Sequence, residues 1–158
     1  MESLALTLVL FVSLAALAVI DARTMRLPDW LTLPLIAAGL VMAWLTQASL
    51  ISHAAGALIG YGGLVALEIA YRRLRGRDGI GRGDAKLLAA GGAWCGVWAL
   101  PLILLAASVS ALTVVLVSSL IMRRGPDPSA RLAFGPYLAL AIALVWAASQ
   151  AGLTPVLS

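Results

Sequence analysis

Residues Leu87–Met122 read LLAAGGAWCGVWALPLILLAASVSALTVVLVSSLIM and contain no charged side chain over 36 positions. A helix that crosses a bilayer needs about 20 apolar residues, so this stretch is too long for one crossing and suits two antiparallel helices with a tight turn. Residues Trp30–Leu67 repeat the pattern with 38 uncharged positions, and Ser3–Ile20 and Leu132–Ser158, with 18 and 27, suit one helix each. The sequence therefore predicts an all-α polytopic membrane protein, a bundle of six transmembrane helices.

The eleven Lys and Arg residues predict the orientation, because all of them lie in three clusters between the apolar stretches. With six crossings, these clusters fall on one face of the membrane and the two uncharged hairpin turns fall on the other. Basic loops are retained in the cytoplasm, so we expect a cytoplasmic basic face and both termini in the periplasm. The clusters are Arg23 and Arg26, Arg72 through Lys86, and Arg123, Arg124 and Arg131.

Composition supports a membrane protein and argues against nucleic acid as a partner. The chain is 62% hydrophobic and 11% charged, whereas soluble domains are about 25% charged. The pI near 10.0 reflects cations beside the membrane, where they contact anionic lipid. The single cysteine, Cys95, excludes an internal disulfide and a cysteine-based zinc site. Six crossings in 158 residues predict one transmembrane domain over residues 1–158, without a soluble domain.

Two aspartates, Asp21 and Asp84, stand at predicted junctions of an apolar helix with the cytoplasmic loops. Carboxylates at a membrane boundary are costly and point to a function. Two carboxyl groups held a few ångströms apart do not both ionise at neutral pH, so such a pair can act on water as base plus acid. This is aspartic peptidase chemistry. The residues alone leave one alternative open, in which Asp84 only caps the N-terminus of the next helix.

Two motifs around these aspartates resemble the type IV prepilin peptidase family. In the first, Asp21 is followed by Leu27-Pro28-Asp29-Trp30-Leu31-Thr32-Leu33-Pro34, similar to the family's (Ile/Leu)-Pro-(Asp/Asn)-x-Leu-Thr-Leu-Pro run. The second, Gly81-Arg82-Gly83-Asp84-Ala85-Lys86-Leu87-Leu88, is similar to the GxGDxKLL motif. Phe134-Gly135-Pro136-Tyr137 before the last apolar stretch also fits the family.

The resemblance implies an aspartic endopeptidase in which Asp21 and Asp84 are catalytic. It implies that Gly81 and Gly83 let the loop backbone approach the substrate and the other aspartate, because another residue would restrict φ and add a Cβ. Lys86 matches the lysine of the motif, with two roles open: electrostatic support for Asp84 or an anchor at the membrane interface. The implied substrates are prepilin or pseudopilin precursors, which lose a basic leader at the cytoplasmic face of the bacterial inner membrane.

The resemblance covers only the C-terminal part of the bifunctional members of the family. Those members have an additional N-terminal region with paired CxxC motifs that bind zinc, and they also methylate the new N-terminus. This chain has no CxxC motif, so it resembles the short members that only cleave. We therefore expect no metal and no other cofactor, and the sequence leaves open whether the protein also methylates its product. The sequence predicts neither the oligomeric state nor which pilus or secretion system supplies the substrate.

Two other functions are compatible with the residues. One is a non-catalytic membrane protein, a proton-coupled transporter or an assembly subunit for a pilus or secretion system, that uses the acids as proton sites. A proton carrier would place an acid near the middle of the bilayer, whereas Asp21 and Asp84 are predicted at its boundary. The other is a presenilin-like GxGD protease, which would need more than six spans.

Four further features have structural roles in the prediction. Gly56-x-x-x-Gly60 is expected to let a neighbouring helix approach closely. Asp29 is expected to cap the second helix, and Glu68 to pair with Arg72 one turn later. If the first helix ends at Asp21, this carboxyl group faces the negative end of one helix and Asp84 the positive end of another. That placement predicts the shared proton on Asp21 and the charge on Asp84.

Overall fold

The computed structural model describes residues 2–75, 81–122 and 133–153. Within these ranges every regular element is a helix, so the all-α prediction is confirmed for this part of the chain. A short 3-10 turn, Val97–Ala99, joins the fourth α-helix to the fifth. The predicted loop segments 76–80 and 123–132 lie outside the described residues. The α-helices are α1, Glu2–Thr24; α2, Asp29–Leu45; α3, Leu50–Arg75; α4, Arg82–Cys95; α5, Leu100–Met122; and α6, Gly135–Gln150.

Three helical segments in the described ranges are long and apolar enough to cross a membrane: Leu4–Thr24, Leu50–Leu74 and Val97–Ile121. The prediction of six membrane-spanning helices is confirmed to this extent only. α2 and α6 are apolar but have 17 and 16 residues, and α4 has 14. α4 also differs from the three candidate spans in its surroundings and its charge. It lies inside the protein, and its first two turns carry three charged side chains.

α4 is the centre of the bundle, packed against α2, α3 and α6. Every residue from Leu87 to Cys95 is buried. The indole Nε1 of Trp94 donates a hydrogen bond of 2.9 Å to the Leu35 carbonyl oxygen of α2. The same indole meets Trp146 of α6 edge-on, with ring centroids 5.3 Å apart, a favoured geometry for aromatic pairs. Three neighbouring helices thus fix the position of α4.

Glycines bring α3 and α4 into direct backbone contact. A Cβ on Gly56 would lie 2.5 Å from the Gly92 carbonyl oxygen, and a Cβ on Gly60 would lie 2.9 Å from that of Leu88. A Cβ on Gly92 would overlap the backbone of Gly56. The prediction that Gly56-x-x-x-Gly60 permits a close helix neighbour is confirmed, and α4 is that neighbour.

The helices alternate in direction, which gives the bundle two different ends. One end joins the start of α3 to the end of α4: His53 Nδ1 lies 2.9 Å from the Ala93 carbonyl oxygen. There Ser52 Oγ also accepts a hydrogen bond of 3.4 Å from the Val97 N–H. At the opposite end, the C-terminal parts of α1 and α3 meet the first turns of α2, α4 and α6. Asp21 and Asp84 lie at this opposite end.

Replacing Gly92 with alanine should destabilise the fold, because the added methyl group would push α3 away from α4. Overpacking of this kind typically costs about 1–3 kcal/mol. Gly62→Ala on α3 is the matched control, since no atom from another described part of the chain lies within 4 Å of that Cβ position. Thermal unfolding of the proteins purified in detergent should show a lower midpoint for Gly92→Ala and not for Gly62→Ala. Equal midpoints would contradict the close crossing.

Candidate active site

Asp21 lies one turn before the end of α1 and is buried, with 5% of its surface exposed. Its Oδ2 accepts a hydrogen bond of 3.0 Å from the backbone N–H of Gly135, the first residue of α6. The N–H groups of a first helical turn have no partner inside their helix and lie at its positive end. The Asp21 carboxyl group therefore accepts a hydrogen bond at the positive end of α6, and this bond joins α1 to α6.

The prediction that the first helix ends at Asp21 is wrong. α1 continues through Thr24. The Asp21 carbonyl oxygen accepts a hydrogen bond of 2.8 Å from the Met25 N–H, and the left-handed φ of 51° at Met25 then stops the helix. The Asp21 side chain instead contacts the positive end of α6. The helix-end argument that placed the proton on Asp21 therefore does not hold.

Asp84 is the third residue of α4, and Gly81 is the N-cap. The alternative in which Asp84 itself caps the helix is therefore wrong. Burial raises the pKa of Asp84 from 3.8 to about 6, and the negative charge of Asp21 contributes to the increase. Like charges have this effect on a carboxyl group when they lie close together. The two aspartates are therefore electrostatically coupled.

Both aspartates line one cavity of about 300 Å³ at this end of the bundle. Gly81, Gly83 and Lys86 line the same cavity, as does the connection 25–27 between α1 and α2. The structure thus brings together all five residues that the sequence predicted for the site. The part of the chain that the structure describes contains no cluster of three or more His, Cys, Asp or Glu side chains suited to a metal ion.

The two glycines of the motif differ in what they allow. A Cβ on Gly83 would lie 3.0 Å from Leu27 Cβ, so this glycine lets the first motif pack against the first turn of α4. Gly81 has φ −76° and ψ 133°, which other residues also adopt, so the expected need for a free φ does not arise there. A Cβ on Gly81 would meet Asp84 Oδ2 at 3.4 Å. Its absence leaves room beside that carboxyl group.

Lys86 forms an ion pair with Asp29, which joins the two motifs beside the cavity. Asp29 is the first residue of α2, and Pro28 is the N-cap, without a side-chain capping bond. The predicted capping role of Asp29 is therefore wrong. Its carboxylate still lies in the first helical turn, where a negative charge is favourable. Pairing with Asp29 gives Lys86 a third role beside the two that the sequence suggested.

Glu68 forms the predicted ion pair with Arg72, at 3.5 Å. It also forms an ion pair that the sequence did not predict, with Arg82 Nε at 3.5 Å from Glu68 Oε2. Arg82 occupies the variable position between the two glycines of the motif, so the pattern carried no signal for its partner.

Gly135 is the residue of the site that sequence reasoning left without a role. It is buried, and a Cβ there would lie 2.5 Å from Asp21 Oδ2, so a glycine is needed for the carboxyl group to reach the backbone N–H. The available signal was the Gly135-Pro136 pair just before an apolar stretch. Proline is frequent in the first turn of a helix, so Pro136 indicates that α6 begins here. The backbone N–H of Gly135 then has no acceptor within its own helix.

Comparison with known proteins agrees with the two motifs. Residues 8–116 match the type IV leader peptidase family. The prepilin leader peptidase/N-methyltransferase of Escherichia coli (strain K12) is 47% identical over 133 residues, which cover 82% of this chain and 57% of that protein. Proteins of the same name from Dickeya chrysanthemi and Burkholderia pseudomallei (strain K96243) are 46% and 48% identical, covering 82% and 80% of this chain and 45% and 41% of their own lengths.

The chain thus spans about half the length of the curated relatives it matches. No solved structure gives a significant match. The family match includes both aspartates and extends over more than half of the chain. The chain belongs to the type IV leader peptidase family.

Proposed function

We propose that this protein is an aspartic endopeptidase that removes the basic leader from prepilin or pseudopilin precursors at the cytoplasmic boundary of the bacterial inner membrane. The observation that carries the proposal is the position of Asp21 and Asp84 on one cavity, where burial and the negative charge of Asp21 raise the pKa of Asp84. The matched relatives, which are named prepilin leader peptidases, support the substrate class.

In the proposed mechanism Asp21 is the base and Asp84 is the acid. A backbone N–H binds an ionised carboxylate more strongly than a neutral carboxyl group, so the hydrogen bond from Gly135 favours the negative charge on Asp21. The pKa of about 6 for Asp84 makes this residue the holder of the shared proton as the pH falls toward 6. This assignment is the reverse of the one that the predicted helix end suggested.

The proposed reaction begins with a water molecule held between the two carboxyl groups. Asp21 takes a proton from this water as its oxygen attacks the scissile carbonyl carbon, and Asp84 gives its proton to the carbonyl oxygen. Asp21 then passes its proton to the leaving amine nitrogen as the C–N bond breaks, and Asp84 recovers a proton from the hydroxyl group of the diol. One water is consumed, and the pair returns to its starting state.

The proposed topology has six crossings, with the cavity on the cytoplasmic side. The three candidate spans belong to α1, α3 and α5, and α2, α4 and α6 lie between them in the chain. Arg26, Arg82 and Lys86 line the cavity, and Arg72 is at the same end of the bundle. In membrane proteins, the end of a helix bundle that carries the cations usually faces the cytoplasm. A leader peptide in the cytoplasm would reach the aspartates without crossing the bilayer.

Asp21→Asn and Asp84→Asn should each abolish leader removal from a purified prepilin. Mass spectrometry of the product measures this removal. Loss of a general acid or base costs roughly 10²–10⁴-fold in rate. The double variant should be no slower than either single variant, because members of one catalytic unit are not additive. Asp29→Asn removes a carboxylate that pairs with Lys86 and with neither aspartate, so it should lower the rate at most and keep measurable cleavage.

An active Asp84→Asn protein would contradict the aspartic mechanism. A wild-type protein that leaves every prepilin uncut would instead favour the non-catalytic alternative, a transporter or an assembly subunit. The same mass spectrum reports whether the new N-terminus is methylated.

Asp84→Asn should also change how stability depends on pH. The pKa of Asp84 is about 6 in the folded protein, whereas the ordinary value for an aspartate is 3.8. The folded state therefore binds this proton more tightly than the unfolded state does. The stabilisation is complete below pH 3.8 and is lost as the pH rises through 6. Thermal midpoints of the wild type should therefore fall between pH 4 and pH 7 more than those of Asp84→Asn. Parallel curves for the two proteins would contradict the raised pKa.

Cysteine labelling should establish the orientation, in a Cys95→Ala background that removes the single native thiol. Ser49 and Arg73 are both exposed and lie at opposite ends of α3. Ser49→Cys should react with a membrane-impermeant thiol reagent added to the periplasmic side, and Arg73→Cys only after lysis. The reverse pattern would place the cavity in the periplasm and contradict the proposed site of cleavage.

A further inference from the structure

We infer that Glu68 and Asp29 are positioning residues for Asp84: each holds one of the two cations that flank Asp84 in α4, and each keeps that positive charge away from the Asp84 carboxyl group. The inference deepens the proposed function, since it assigns two further residues to the same site. The effect of the two carboxylates on Asp84 depends on ion pairs in the structure and does not depend on the identity of the substrate.

Two cations flank Asp84 in the sequence of α4. Arg82 precedes it by two residues and Lys86 follows it by two, and all three side chains line the cavity. Both cations are paired with carboxylates of other helices. Arg82 Nε lies 3.5 Å from Glu68 Oε2 of α3, and Lys86 Nζ contacts Asp29 Oδ1 of α2.

Glu68 is the stronger of the two partners because it is buried. Its side chain is 6% exposed, whereas that of Arg82 is 67% exposed. A buried carboxylate without a partner is costly, and the two oxygens of Glu68 are taken by Arg72 and Arg82. Arg82 is therefore held toward α3. Asp29 is 59% exposed, and an exposed pair of this kind contributes less.

The carboxylates matter for Asp84 through charge compensation. A free cation within about 4–6 Å favours the ionised form of a carboxyl group and lowers its pKa by roughly one unit or more. Glu68 and Asp29 balance the two flanking cations, so Asp84 remains able to hold a proton. The pKa of about 6 for Asp84, with two cations so near in sequence, agrees with this compensation.

Within the part of the chain that the structure describes, four helices bring charged or titratable groups to this end of the bundle. α1 contributes Asp21, and the connection after it contributes Arg26. α2 contributes Asp29, and α3 contributes Glu68 with Arg72. α6 contributes the Gly135 N–H, and its first turn includes Tyr137.

The ion pairs also have a mechanical effect. They tie the first turns of α4 to α3 on one side and to α2 on the other. Asp84 lies between the two ties, so its distance from Asp21 depends on both. Cutting a tie is expected to lower the rate of the chemical step more than the affinity for substrate, because small displacements of reacting groups are costly.

The experiment compares Glu68→Gln, Arg82→Gln and the double variant in leader removal as a function of pH. The alkaline limb of kcat/KM reports the acid of the free enzyme, which is Asp84 here. Glu68→Gln leaves Arg82 uncompensated and should move this limb to lower pH by roughly half a unit to one unit. Arg82→Gln should move the limb to higher pH. The double variant should restore its position while kcat stays several-fold below that of the wild type.

One further variant serves as a control, and another repeats the test on the second carboxylate. Arg73→Gln removes an exposed cation of α3 that does not line the cavity, so it should leave the limb in place. Asp29→Asn should move the limb in the direction of Glu68→Gln, by a smaller amount. If Glu68→Gln does not fold, Arg82→Gln still decides, because its side chain is exposed and its shift has the opposite sign.

Identical alkaline limbs in all variants would overturn the inference, and cleavage itself would be unaffected by that result. A wild-type protein without cleavage would overturn the proposed function instead. In that case infrared titration of the Asp84 carboxyl group in the same variants tests the inference, with the same directions of shift expected.

Discussion

The hydrogen bond from the Gly135 N–H to Asp21 is the interaction on which the site depends. It joins residues 114 positions apart and brings the end of α1 to the start of α6. It is possible only because residue 135 has no Cβ. The bond gives a buried carboxyl group one donor and a position at the positive end of a helix, where a negative charge is stabilised. The charge on Asp21 in turn contributes to the raised pKa of Asp84.

α4 carries the second aspartate, and its contacts fix this helix within the bundle. Its glycine contacts with α3, its Trp94 contacts with α2 and α6 and its two ion pairs fix a short helix that is buried along most of its length. A short central helix exposes little surface to lipid, so it tolerates Arg82, Asp84 and Lys86 in its first two turns. The charged groups can therefore lie at the end of an otherwise apolar bundle, where they line a cavity of about 300 Å³.

Much of this fold follows from the sequence, because uncharged stretches of 36 and 38 residues leave room for two helices each and not for one. The two aspartates and the motif glycines were likewise found from their motifs. The end of α1 was not, because Asp21 and Arg23 look like loop residues when their contacts are unknown. The partner of Arg82 was not predicted either. Rules for pairs on one helix find Glu68 with Arg72, whereas Arg82 reaches Glu68 only through the packing of α4 against α3.

The central claim is that Asp21 carries the charge of the pair and Asp84 carries the proton. Infrared difference spectroscopy over a pH titration tests it most directly, since a protonated carboxyl group has its own absorption band. In the wild type a carboxyl band should disappear with a midpoint near pH 6. The band should be absent at that pH in Asp84→Asn and should shift to lower pH in Asp21→Asn. A band that keeps its wild-type midpoint in Asp84→Asn would place the proton on Asp21 and contradict the account.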